Sequence, residues 1–140
     1  MKIILTTTNK AEPMRYLICL ITLACASQLA LALDCSKASN TLEINECASI
    51  EQKKVEAKLN AVYQRVMKFL DKQIADGDLD KASKTTLIEA QRAWLKFREA
   101  DCSAVYQYHI AGTIRNVMHI GCMQTHTERR IKDLEEYEKN

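Results

Sequence analysis

An all-α fold, a small three-helix antiparallel bundle stapled by two disulfides, is predicted by three features of the sequence. Between Asn40 and Tyr137 apolar residues recur at intervals of three and four, the period of a helix face. Two short interruptions, residues 76–80 and 111–113, each carry a glycine and cut that stretch into three segments. Cys35, Cys47, Cys102 and Cys122 form an even set around those segments. No β-rich run and no internal repeat competes with this reading.

The chain opens on a stretch that belongs to export rather than to the fold. Met14-Arg15 precedes an apolar run from Tyr16 to Leu33, interrupted by Thr22, Ser27 and Gln28. The run closes on Ala30-Leu31-Ala32, small residues in the A-x-A spacing that signal peptidase reads. Residues 14–32 are therefore expected to be a secretory signal cut after Ala32, with residues 1–13 upstream of it and residues 33–140 the helical domain. The polar interruptions and the cleavage site argue against a membrane anchor. Lipid attachment at Cys25 is disfavoured because Thr22 stands where a lipobox needs Leu. The expected destination is the periplasm or the exterior.

Removing residues 1–32 changes the charge. Of 20 Lys and Arg, Lys2, Lys10 and Arg15 leave; of 18 Asp and Glu, only Glu12 does. The remaining 17 of each sign cancel, so no electrostatic case for nucleic-acid binding survives. Cys19 and Cys25 leave as well, and four cysteines in an exported domain of this size read as two disulfides. A metal site is the competing use. It is set aside because no pair has C-x-x-C spacing and His109, His119 and His126 do not form a ligand set along the chain.

Asn40, with Glu43 three residues on, is a variant capping box that starts the first helix near Thr41. Val55, Leu59, Val62, Val66 and Phe69, widened by Tyr63 and Leu70, give it one apolar face as far as about Ala75. Asp76, Asp78 and Asp80 then have the spacing of a calcium loop, but Lys81 and Leu87 occupy the positions that need Gly and Glu. An acidic turn, with Gly77 as the helix stop, is the expected structure.

The second helix is expected to begin between Asp80 and Thr86, where Thr86 and Glu89 make another capping box. It carries the only Trp. Leu87, Ala90, Trp94 and Phe97 form one stripe, and Ile88, Gln91, Leu95, Arg98 and Cys102 the stripe beside it. Together they predict a broad buried face, with Trp94 inside, Gln91 held by a polar partner, Arg98 held by a carboxylate or backbone carbonyls, and its guanidinium within reach of the Trp94 ring. Gly112 ends this helix, and a third runs from about Ile114 to Tyr137. There Val117, Met118, Gly121, Cys122 and Thr125 share one side, with Ile131 and Leu134 further along.

Asp34-Cys35, Cys47, the segment Leu59-Asn60-x-x-Tyr63, the segment Gln91-Arg92-x-Trp94-Leu95-x-Phe97-Arg98-x-x-x-Cys102, Gly112-Thr113, Cys122, Thr127, Arg129-Arg130 and Leu134 together resemble the LprI-like lysozyme-inhibitor family over essentially the whole domain. Ala111 stands where many members have a further Gly. The resemblance implies an exported bacterial helical domain that binds and inhibits lysozyme-type muramidases. The alternative is a cell-envelope interaction domain without inhibitory activity. Neither needs a cofactor or catalytic residues on this chain, and no nucleophile motif or triad context is present. With the apolar helix faces used in packing, the expected contact residues lie in the turns. They are Thr113 and Arg115 at one turn, or Asp76, Asp78 and Asp80 at the other.

Register predicts the cysteine pairing. Cys102 and Cys122 each lie ten residues from Gly112, so antiparallel helices bring them level and within bonding reach. Around an apex near Leu79, the residue level with Cys102 is Glu56. Cys47 lies nine residues further along, about 13 Å away at 1.5 Å per residue. Cys47 is left for Cys35, whose lead-in folds back over the first turns.

Overall fold

The computed structural model describes residues 33–139. The expected signal, its cleavage after Ala32 and Cys25 lie outside the described residues. Three helices make up the domain: α1 over Thr41–Asp76, α2 over Lys81–Tyr108 and α3 over Arg115–Glu135. A 3-10 turn, Cys35–Lys37, precedes them, and another, Glu136–Glu138, follows. No strand occurs among the described residues. No helix there is long and apolar enough to cross a membrane.

The helix ends are set by local chemistry. The Asn40 side chain accepts from the Glu43 backbone N–H at 3.0 Å, and Glu43 reaches back to the Ser39 N–H at 2.9 Å. That acceptance holds the exposed Glu43 carboxyl below the usual carboxylate range. Gly77, at φ 87°, stops α1 and returns its N–H to Ile74, while the Asp78 N–H bonds the Gln73 carbonyl at 2.9 Å. Asp80, accepting from the Ala82 N–H, caps α2, so Thr86 lies inside the helix rather than at its start.

The order is up, down, up. α3 runs parallel to α1, with Gln124 donating to the Ala48 carbonyl at 3.2 Å and Arg65 pairing with Glu138 at 2.8 Å. α2 runs antiparallel to both, tied by Lys84–Asp71, Arg98–Glu56 and the Cys102–Cys122 disulfide. Both disulfides have the predicted pairing, with Cα atoms 5.6 Å apart in each. Glu56 and Arg98 are equidistant from Gly77, so the first reversal centres there and not at Leu79. Glu56 consequently meets Arg98, one turn away from the level of Cys102.

The apolar core is chiefly a seam between α1 and α3. Leu59, Val62, Val66 and Leu70 pack with Leu87, Ile131 and Leu134. On α2 the buried residues are Leu87, Gln91, Arg98 and Cys102, with Trp94 half-buried against the core. The broad apolar face expected there is not formed. Phe97 is 56% exposed and Leu95 41%, and Ala90 faces solvent too. On α3, Thr127 rather than Thr125 turns inward.

Candidate functional site

The inward side of α2 carries two polar side chains, Gln91 and Arg98, and both are used in packing. The Arg98 guanidinium lies 4.8 Å above the Trp94 ring and donates to both Glu56 and Thr127. Thr127 in turn donates to the Met123 carbonyl at 2.7 Å. Arg130 approaches the same ring at 5.9 Å and donates to Gln91 at 2.9 Å. One aromatic ring thus faces two cations, each held by an acceptor from another position. Gln91, Trp94 and Arg98 join the three helices through this network, and none presents a reactive group to solvent. Glu56, Thr127 and Arg130 were not singled out from the sequence in this role. A signal for Glu56 was present: it is the carboxylate between Val55 and Leu59 on an apolar helix face.

The acidic turn also spends its charges locally. Asp76 pairs with Lys72 at 2.9 Å, Asp80 caps α2, and Asp78 is exposed without joining them into a single anionic centre. A cavity of about 250 Å³ beside the turn is lined by Phe69, Leu70, Gln73, Leu79 and Tyr137. None of the three aspartates lines it.

The other reversal, residues 109–114, differs. Arg115 folds back over it, donating from Nη1 to the Gly112 carbonyl at 3.0 Å and from Nε to the Tyr106 hydroxyl at 3.2 Å. The Tyr106 ring meets His119 edge-on at 6.1 Å, closing the base of the turn. About two helical turns from the helix ends that flank the apex, the Cys102–Cys122 bond locks α2 to α3. Above this brace, apolar side chains point into water: Tyr108 is 86% exposed, and Ile110, Ile114 and Met118 are exposed as well. Thr113 is exposed among them, whereas Arg115 is half-buried and serves as the brace. Of the two predicted contact residues at this turn, Thr113 stands on the outer surface and Arg115 shapes it. Ile110 escaped sequence reasoning because helix periodicity assigns no face beyond a helix end, and Tyr108 and Ile114 because they stand at helix ends with no further turn to fix their face.

The apex is thus a braced turn with exposed apolar side chains and the Thr113 hydroxyl beside them. The sequence profile of the lysozyme inhibitor LprI family matches residues 34–134, nearly all of the described domain. The chain belongs to the LprI family. An uncharacterized protein of Rhizobium meliloti (strain 1021) is 31% identical over 109 residues, covering 74% of this chain and 77% of that protein. No solved structure matches the chain. The family match spans both disulfides, the Gln91–Trp94–Arg98 network and the whole braced apex, so the features above lie within the family's domain.

Proposed function

We propose that this protein is an exported inhibitor of lysozyme-type muramidases and that the braced apex of α2 and α3 is its contact surface. The observation that carries the reading is the match to a lysozyme-inhibitor family across residues 34–134. The geometry supports it in a second way. Lysozymes work with two carboxylates in an elongated sugar-binding cleft, and occupying that cleft blocks them without chemistry on the inhibitor. A narrow helical hairpin tip with an exposed tyrosine, two isoleucines and the Thr113 hydroxyl suits such a cleft. Rigid aromatic anchors bind at low entropic cost, and the disulfide keeps the tip preorganised.

Export to the periplasm or exterior fits the two disulfides, which form in oxidising compartments. The reading assigns no catalytic residue and no cofactor to this chain. The test is turbidity clearing of a bacterial cell-wall suspension by lysozyme, with increasing amounts of the purified protein. Clearing should slow to a plateau at molar equivalence when the enzyme is well above the dissociation constant. Unchanged clearing at a large molar excess overturns inhibition and leaves a non-inhibitory envelope domain.

A further inference from the structure

The Cys102–Cys122 disulfide lies beside a histidine. Cys122 and His126 are four residues apart on α3, so they share one face of the helix. Cys102 faces them from α2, and the two sulfurs and a His126 ring nitrogen lie within 4.8 Å of one another. Nε2 of His126 is 2.8 Å from an Asp101 carboxylate oxygen, and the ring packs edge-on against Phe97. A carboxylate on one imidazole nitrogen fixes ring orientation and tautomer, leaving the other as a donor; this is the usual outer-shell arrangement around metal-bound histidine.

We propose that, when this disulfide is reduced, Cys102, Cys122 and His126 form a binding site for a zinc-like divalent ion. The reduction is a two-electron step in which a phosphine or dithiol breaks the S–S bond and yields two thiols. A phosphine is converted to its oxide with water supplying the oxygen; a dithiol becomes its own disulfide. The ion then displaces both thiol protons to solvent and gains two thiolates and one neutral imidazole. Zn–S bonds of about 2.3 Å in a tetrahedron place two sulfurs about 3.8 Å apart. Backbones with Cα atoms 5.6 Å apart can hold that separation by side-chain rotation. Cys102 is fully buried, whereas Cys122 and His126 are partly exposed, so the ion enters from their side and keeps one position for water. Spacing along the chain hides the site because its third ligand arrives across the hairpin. The site would preserve the α2–α3 brace in a chain that has not yet been oxidised, by coordination in place of a covalent bond.

Cobalt(II) is the probe, because tetrahedral thiolate coordination gives strong visible and near-ultraviolet bands. The full chain is reduced with a phosphine, freed of reductant under inert gas and titrated with Co²⁺. One equivalent should bind with bands of two-thiolate coordination, and equimolar Zn²⁺ should displace it. The oxidised protein should show none. His126→Ala and Cys122→Ser should each weaken binding at least tenfold, while Cys35→Ser leaves it unchanged; far-ultraviolet dichroism checks that each stays helical. If Cys122→Ser unfolds, His126→Ala alone decides. Absence of the bands in the reduced chain, bands unaltered in helical His126→Ala, or loss with Cys35→Ser would each overturn the site.

Discussion

The two chain reversals of this bundle are built on opposite plans. At the α1–α2 reversal the backbone makes the turn: Gly77 takes a left-handed conformation, and Asp80 caps the next helix. The Asp76 and Asp80 side chains are engaged by neighbours, so its charge is less available than the sequence suggests. At the α2–α3 reversal no residue has positive φ; the Gly112 N–H bonds the His109 carbonyl at 2.9 Å, and side chains brace that turn, through Arg115, Tyr106 and a covalent bond below. Its exposed surface is apolar. The difference teaches that an acidic cluster in sequence can be structural accounting, whereas exposed apolar groups above a rigid brace are free to meet a partner.

The sharpest way to separate the two plans is to cut the brace. Cys102→Ser together with Cys122→Ser should cost about 3 kcal/mol for a loop of this length, read by urea unfolding. Inhibition should weaken as well, because the apex loses preorganisation. A loss of stability with unchanged inhibition would break the link between brace and binding.

Next in size is the apex itself. Tyr108→Ala with Ile114→Asp should raise the inhibitor concentration needed for half-maximal effect at least tenfold, about 1.4 kcal/mol. The melting temperature should stay within two or so degrees, since both side chains are exposed. Asp76→Asn with Asp78→Asn at the opposite reversal should leave inhibition unaltered. If that second pair abolishes inhibition and the first does not, the acidic turn is the contact surface.

A smaller contrast lies between the two glycines. A Cβ at Gly77 would meet nothing within 4 Å, so the cost of Gly77→Ala is purely that of left-handed backbone, about 1 kcal/mol. At Gly112 the φ is ordinary, and a Cβ would touch the His109 carbonyl at an unstrained 3.5 Å. Gly112→Ala should therefore change stability by less than about 0.5 kcal/mol. Equal losses at both positions, measured by denaturant unfolding, would contradict this division between backbone-made and side-chain-braced turns.

The same division explains what could be read in advance. The Asn40–Glu43 cap, the Gly77 stop and the equal arms around Gly112 are local or arithmetical, and they led to the helix order and both disulfides. The inward face of α2 was legible only in part. Hydropathy ranks Phe97 and Leu95 above Gln91 and Arg98, yet the polar pair is inside. Burial of Arg98 depends on Glu56, 42 residues earlier, and on Thr127, 29 later, and no window on α2 contains either. Leu87, Gln91, Trp94, Arg98 and Cys102 step by four, three, four and four, so the true face was written in the spacing but masked by polarity. At the apex, exposure of Tyr108, Ile110 and Ile114 depends on where α2 ends against α3, which periodicity cannot supply.

The smallest expected effect is on the acid side, at the end of the bundle where the lead-in folds over α1. The Ser39 backbone N–H holds the Glu43 carboxyl below its ordinary value of 4.5, and hydrogen bonds from Ser36 and Lys37 hold that of Asp34 below 3.8. A carboxyl depressed in the folded state contributes stability that is present above its unfolded value and lost as pH falls through the folded one. The contribution is therefore complete at neutral pH and disappears in a window that begins near 4.5 for Glu43 and extends below it. Glu43→Gln removes the titrating group while keeping the helix start at Asn40. Its melting temperature should lie slightly below that of the parent protein at about pH 7, and the two curves should converge towards about pH 3. The Cys35–Cys47 bond holds the lead-in in both proteins, so the shift reports the cap and not detachment of the segment. A constant difference across that range would mean that the Glu43 charge contributes nothing to the cap beyond a neutral hydrogen bond.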